Sequence, residues 1–249
     1  MADVVRLKNH LETLGLDTIL GIFEEETKKA LETKISYTEY LARLMAEEII
    51  TKTDRSINYK IRIARFSQIK TIEEFDFRFQ PQLDERLIKE LCELVFLEKA
   101  KNVLFVGPPG VGKTHLAIGI GIKACEKRKK VLFADAGKMI EELMLSMIEK
   151  TLPQKIERLA RYDLLVIDEL GYMCVGKEGA NLLFQLISRC YEKVSIVLTS
   201  NRSFSQWGDM FGDNVIASAI LDRLLHHSFV VQINGKSYRI KDKLTEKDG

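Results

Sequence analysis

The eight residues Gly107-Pro108-Pro109-Gly110-Val111-Gly112-Lys113-Thr114 constrain this chain more than any other feature. They match G-x-x-x-x-G-K-[ST], and they stand between an apolar run at 102–106 and a helical stretch at 114–127. Glycines let successive backbone N–H groups curl round a phosphate at a helix N-terminus, whose dipole favours negative charge. Lys113 is expected to reach the β- and γ-phosphates of ATP, and the Thr114 hydroxyl to ligate Mg²⁺. The candidate nucleotide-binding set runs from Gly107 to Thr114 and includes His115, the next residue into the helix.

The rest of the chain fits the sheet that such a loop needs. Short apolar runs recur at 131–134, 164–167, 196–199 and 229–233, separated by helical stretches such as 178–191. Buried strands alternating with helices predict a parallel sheet covered on both faces, an α/β fold. Residues before about 70 read differently, as helix after helix. Ser36-Tyr37-Thr38-Glu39 is a capping box opening one helix, and a second helical run carries Ile57, Ile61 and Ala64. Residues 71–84, with Phe75, Asp76, Phe77 and Phe79, break the pattern and form a connector. The expected organisation is a small helical domain at 1–70 and an α/β domain at 71–249.

Three further segments complete a hydrolytic site. Leu164-Leu165-Val166-Ile167-Asp168-Glu169 is an apolar strand ending in two acids. Asp168 would hold Mg²⁺ beside Thr114, and Glu169 would deprotonate the attacking water. A kinase has no use for such a water-activating carboxylate, so Glu169 favours hydrolysis. Asn201, at the end of the 196–199 strand, is placed to hold the lytic water; a turn-initiating asparagine is the alternative. Arg223, in Leu221-Asp222-Arg223-Leu224-Leu225, suits a finger reaching a neighbouring subunit's ATP, with a helix salt bridge as the alternative.

Charge narrows the partners. The chain has 38 Lys+Arg against 36 Asp+Glu, a net charge of +2, which excludes a polycation. The distribution is uneven. Residues 52–70 carry six basic side chains against Asp54 alone, after a stretch at 1–51 with six basic and ten acidic residues. Arg55, Lys60, Arg62 and Arg65 are the candidate contacts to duplex DNA, since basic groups neutralise phosphates without reading sequence. A solvated helix face is the alternative. Two lesser clusters are Lys127-Arg128-Lys129-Lys130, explicable by a helix C-terminus, and Lys236, Arg239, Lys241 and Lys243 with Asp242. Met139, Met144, Met147 and Trp207 are read as packing residues, and His226 and His227 as structural. The scattered cysteines Cys92, Cys125, Cys174 and Cys190 form no C-x-x-C pair and point to reduced thiols in a cytoplasmic protein. No uncharged stretch approaches the ~20 residues a membrane helix needs, and no signal peptide is visible.

Taken together, these motifs resemble a known family. The P-loop with His115-Leu116-Ala117, the stretch from Tyr162 to Tyr172, Asn181-Leu182-Leu183-Phe184-Gln185, Thr199-Ser200-Asn201 and Trp207-Gly208 all fit. So do Phe211-Gly212-Asp213, Leu221 to His227, and Gly235-Lys236-Ser237-Tyr238-Arg239. The chain is similar, over nearly its whole length, to the IstB-type transposition helper ATPases, AAA+ relatives of the DnaC helicase loaders. That resemblance implies an AAA+ sheet and an ATP-dependent homo-oligomer that binds duplex DNA and recruits a transposase; a DnaC-type helicase loader is the alternative. Only 48 residues follow Asn201, too few for a helical lid, so no lid arginine is expected to contact ATP in cis.

Overall fold

A computed structural model describes residues 2–172 and 175–240. The chain divides into two compact units, Met1–Tyr59 and Lys60–Gly249. The first unit holds α1 (Ala2–Thr13), α2 (Asp17–Thr33) and most of α3 (Tyr37–Ile63). Its small core joins Leu11, Ile19, Phe23 and Leu44. The buried Glu48 carboxylate accepts the Ile19 N–H at 2.9 Å, satisfying a donor in the open first turn of α2. Ser36 Oγ accepts the Glu39 N–H at 3.2 Å, one arm of the capping box. The two helical runs read separately from the sequence are one continuous helix of 27 residues, because no glycine or proline interrupts it.

The sequence put the domain junction near residue 70, whereas the division falls at Tyr59/Lys60, inside α3. Its cause is packing. Ile61, Ala64 and Phe66 join the core of the second unit, and the Phe133 N–H donates to the Ala64 carbonyl at 2.8 Å. The segment after residue 60 is thereby tied to a sheet edge.

The second unit continues with α4 (Glu85–Cys92), α5 (Val95–Glu98), β1 (Asn102–Val106), α6 (Lys113–Glu126) and β2 (Val131–Asp135). Then come α7 (Ala136–Ile148), α8 (Leu152–Leu159), β3 (Leu164–Leu170), α9 (Gly176–Cys190) and β4 (Ser195–Ser200). The last elements are α10 (Trp207–Phe211), α11 (Asn214–Leu225) and β5 (Ser228–Gln232). The strands form one parallel sheet in the order β2-β3-β4-β1-β5. Alternate strand residues serve opposite faces, as the two-residue period dictates. Val103, Phe105, Val166 and Val197 pack with α4 and α6. Leu104, Leu165, Ile167 and Leu198 pack with α7 through α11.

Trp207 is fully buried between Phe204 and Phe211 in edge-on contacts, the packing anchor expected. Met139 is buried and Met144 packs against the same core, while Met147, on α7, is 37% exposed. Cys92, Cys125 and Cys190 are free thiols, pushed up to about 11, 11 and 12 by burial. Cys174, Lys241, Asp242 and Lys243 lie outside the described residues. His226 hydrogen-bonds the Tyr191 hydroxyl at 2.6 Å. Among the described residues, no helix is long and apolar enough to cross a membrane.

Candidate nucleotide and hydrolysis site

The P-loop leaves the C-terminal end of β1 and turns directly into α6. Two glycines are required by its geometry. Gly112 caps α6 at φ +98°, and a Cβ there would run into the Phe75 ring. Gly110 sits at φ +82°, where a Cβ would run into Ser237 Oγ. Both positions are closed to other residues by the left-handed backbone and by the close approach of a second segment.

Lys113 is 7% exposed, and its ammonium donates to the carbonyls of Gly107 (2.7 Å) and Pro108 (2.8 Å). Burial pushes its pKa down to about 8. The Arg239 cation adds to that, and the charges of Asp168 and Glu169 oppose it. The loop thus holds its cation against its own backbone, aimed into the cradle a phosphate would fill. His115 lines the same cavity and uses Nε2 on the Thr71 carbonyl at 2.6 Å, tying α6 to the connector. Phe75 stacks edge-on against it, with ring centroids 5.3 Å apart.

At the end of β3, one carboxylate oxygen gathers two hydroxyls. Asp168 Oδ1 accepts from Thr114 Oγ1 at 2.9 Å and from Thr199 Oγ1 at 2.6 Å. Burial raises the Asp168 pKa, and those two hydrogen bonds pull against it. Thr199 Oγ1 in turn accepts the Glu169 N–H at 2.9 Å. That bond holds Glu169 at φ +63°, left-handed for a residue with a side chain. The β3–β4 register shifts between Ile167 and Leu170, so Glu169 is lifted out of the ladder. Its side chain lines the cavity. Burial raises its pKa first, with the Asp168 and Asp135 charges adding to the effect.

Asn201 also lines the cavity, and its Oδ1 is buried with no hydrogen-bond partner among the described residues. The lining is completed by residues from both ends of the unit, including Phe75, Tyr238 and Arg239, around a volume of about 320 Å³. The segment after β5 crosses the P-loop. The Tyr238 N–H donates to the Gly110 carbonyl at 2.8 Å, and Gln80 Nε2 donates to the Lys236 carbonyl at 2.9 Å.

Lys113, Thr114, His115, Asp168, Glu169 and Asn201 therefore come together. Arg223 does not join them. It lies on α11 with its guanidinium 4.5 Å from the Phe184 ring centroid, and Nη1 donates to the Ala219 carbonyl at 3.3 Å. It makes no salt bridge among the described residues, so a helix salt bridge to Asp222 or a neighbour is not what holds it. Among the DNA candidates, Arg55 pairs with Asp17 at 3.3 Å within the first unit. Lys60, Arg62 and Arg65 belong to the second unit.

Sequence reading missed three contributors: Thr199 as the hinge between the two acids, Phe75 against the P-loop, and Arg239 in the cavity. One of them, Arg239, brings a cation to the cavity from the segment that crosses the P-loop, a strap over Gly110. Thr199 and Arg239 sat in segments that carried the family resemblance, and Phe75 was visible only as part of the connector.

The family described as IstB-like ATP binding protein matches residues 9–246. The ATP-binding protein of insertion sequence IS21 from Pseudomonas aeruginosa is 44% identical over 94% of this chain and 88% of its own length. The corresponding protein of insertion sequence IS5376 from Geobacillus stearothermophilus is 41% identical over 98% of this chain and 97% of its own. Among solved structures, the DnaC helicase loader superposes with a TM-score of 0.51 at 22% identity, covering 59% of this chain and 86% of that one. That last likeness is one of fold.

Proposed function

Since this chain belongs to the IstB-like ATP-binding protein family and is a P-loop ATPase of AAA+ fold, we propose that it serves an insertion sequence as the ATP-driven helper of transposition. In this reading it assembles with other copies on duplex DNA and recruits a transposase. The helical first unit mediates assembly or partner contact. The observation that carries the proposal is the division of the site: Lys113, Thr114, Glu169 and Asn201 line one cavity, Asp168 is hydrogen-bonded to Thr114 behind them, and Arg223 lies outside it on α11. A complete centre then needs a second subunit.

Within one subunit the chemistry follows from the placement of the groups. Lys113 leaves the Gly107 and Pro108 carbonyls for the β- and γ-phosphate oxygens. Asn201 Oδ1, buried and unpartnered, accepts a hydrogen bond from the lytic water and orients it. Glu169 takes the water's proton as it attacks the γ-phosphoryl group. Thr114 Oγ1 and Asp168 Oδ1, hard oxygen donors already 2.9 Å apart, suit Mg²⁺ and would hold it. When bound, that ion neutralises developing charge on the phosphate oxygens.

Arg239 supplies a further cation from the strap. Arg239→Ala is expected to weaken ATP binding about 10- to 100-fold, the loss of one hydrogen bond to a charged group. Arg239→Lys should restore part of that, and kcat at saturation should fall far less than KM rises. An unchanged KM would remove Arg239 from the site.

The assembly itself is tested by electron microscopy of the full chain with duplex DNA in ATP, in ADP and without nucleotide. Ordered multi-subunit assemblies that need both ATP and DNA are expected. Monomers under all conditions, or capture of a hexameric helicase in place of a transposase, would overturn the helper reading.

A further inference from the structure

At the end of the sheet away from the nucleotide, Lys60, Lys129, Lys130, Arg158 and Arg161 converge on one cleft of about 330 Å³. Ile63, Val131 and Tyr162 supply its remaining lining, and no acidic side chain lines it. The five cations come from three separate places in the chain: the last turns of α3, the turn before β2, and the end of α8 with the turn after it. None of them makes a salt bridge among the described residues. Asp163, next in the chain to Tyr162, accepts the Lys130 backbone N–H at 2.6 Å. Glu157 on α8 is taken by Arg189 at 2.5 Å. The adjacent cavity along β2 makes a useful contrast. There Arg65, Lys138 and Lys155 are met by Asp135 and Glu142, with Lys155 and Glu142 in direct contact.

Five like charges that make no salt bridge stand close together around a partly apolar wall and repel one another. An arrangement of this kind is relieved by a polyanion. Val131 opens β2 and Leu164 opens β3, whereas Asp168 and Glu169 stand further along β3, at its opposite end. At about 3.3 Å per residue, the cleft lies roughly 15 Å from the acidic pair and is no subsite for the bound nucleotide.

We propose that this cleft is a docking site for the phosphate backbone of duplex DNA. The inference rests on the DNA-binding reading above and gives it an address. The charge run at 52–70 points to Lys60, but no spacing in the sequence links that residue to Arg158 and Arg161, which only the fold brings beside it. A backbone site also fits the side chains present. Lysines and arginines around an open cleft neutralise phosphates, and nothing here is arranged to read base edges.

The test uses the full chain with a slowly hydrolysed ATP analogue, titrated against a labelled duplex at several salt concentrations. The variant carries Lys129→Ala, Lys130→Ala, Arg158→Ala and Arg161→Ala. A control carries Arg86→Ala and Lys99→Ala, exposed basic residues outside the cleft. Circular dichroism and binding of the ATP analogue without DNA check that the cleft variant is folded. Each lost phosphate contact flattens the salt slope by about 0.9, so the cleft variant should lose about 3 to 4 units of slope and at least about tenfold in affinity. The control should lose well under about 1 unit. If the cleft variant loses no more slope per charge removed than the control, the cleft is overturned while DNA binding survives. If the unsubstituted chain binds no duplex, both the cleft and the DNA-binding reading fall. Binding of an acidic protein that competes at the cleft, with duplex affinity unaffected by the four substitutions, also overturns it.

Discussion

Arg223→Ala is expected to lower ATP turnover of the proposed DNA-bound assembly by about 10³–10⁵-fold, the range for removal of an arginine finger, while a single subunit still binds nucleotide. The expectation follows from where the guanidinium sits. It rests against the Phe184 ring and the Ala219 carbonyl, and it does not line its own subunit's cavity. The ring contact also limits its motion, so the group is offered at a defined place on the surface. Mixing separates a role in trans from a structural one. Arg223→Ala subunits keep an intact P-loop, and Lys113→Ala subunits keep an intact arginine. Assemblies containing both should recover turnover that neither has alone. Mixtures that never exceed the sum of the separate activities would show that Arg223 does not act across an interface.

Glu169→Gln is expected to cut kcat by about 10²–10⁴-fold with ATP binding retained, because the amide matches the shape of the carboxylate and cannot take a proton. Turnover within about threefold of the unsubstituted chain would remove Glu169 as the base. The backbone adds a second readout. At φ +63° a residue with a side chain carries of order 1–3 kcal/mol of strain that glycine does not. Glu169→Gly should therefore raise the melting temperature and abolish turnover together. Stability lost along with activity would mean that the carboxylate braces the fold.

The sheet was legible because its strands are buried on both faces and stand as short apolar runs between helices. Four of the five begin and end within a residue or so of their apolar runs. β3 runs further, to Leu170, because the register shift lets the chain pass two acids and rejoin β4. No hydrophobic pattern marks that. The P-loop and acidic pair were legible because phosphate chemistry needs those residue types in that order. Arg239 and Phe75 were not, since neither belongs to a periodic element and their roles depend on segments far apart in sequence. The same limit applies to α3, where a narrow apolar stripe looked like a fresh helix when Ile61 and Ala64 had merely changed the core they serve.

The strand order carries a consequence for how this protein is made. β1, which feeds the P-loop, lies between β4 and β5, and both neighbours are synthesised after it. The strap over Gly110 comes later still. During translation the phosphate loop therefore leaves the ribosome long before anything can hold it. The emerging chain has a first helical unit able to close its own small core, followed by a half-built sheet with an unpaired central strand. The cavity with Tyr238 and Arg239 in its lining exists only after β5 and the strap have followed, so nucleotide favours the completed site over the half-built sheet.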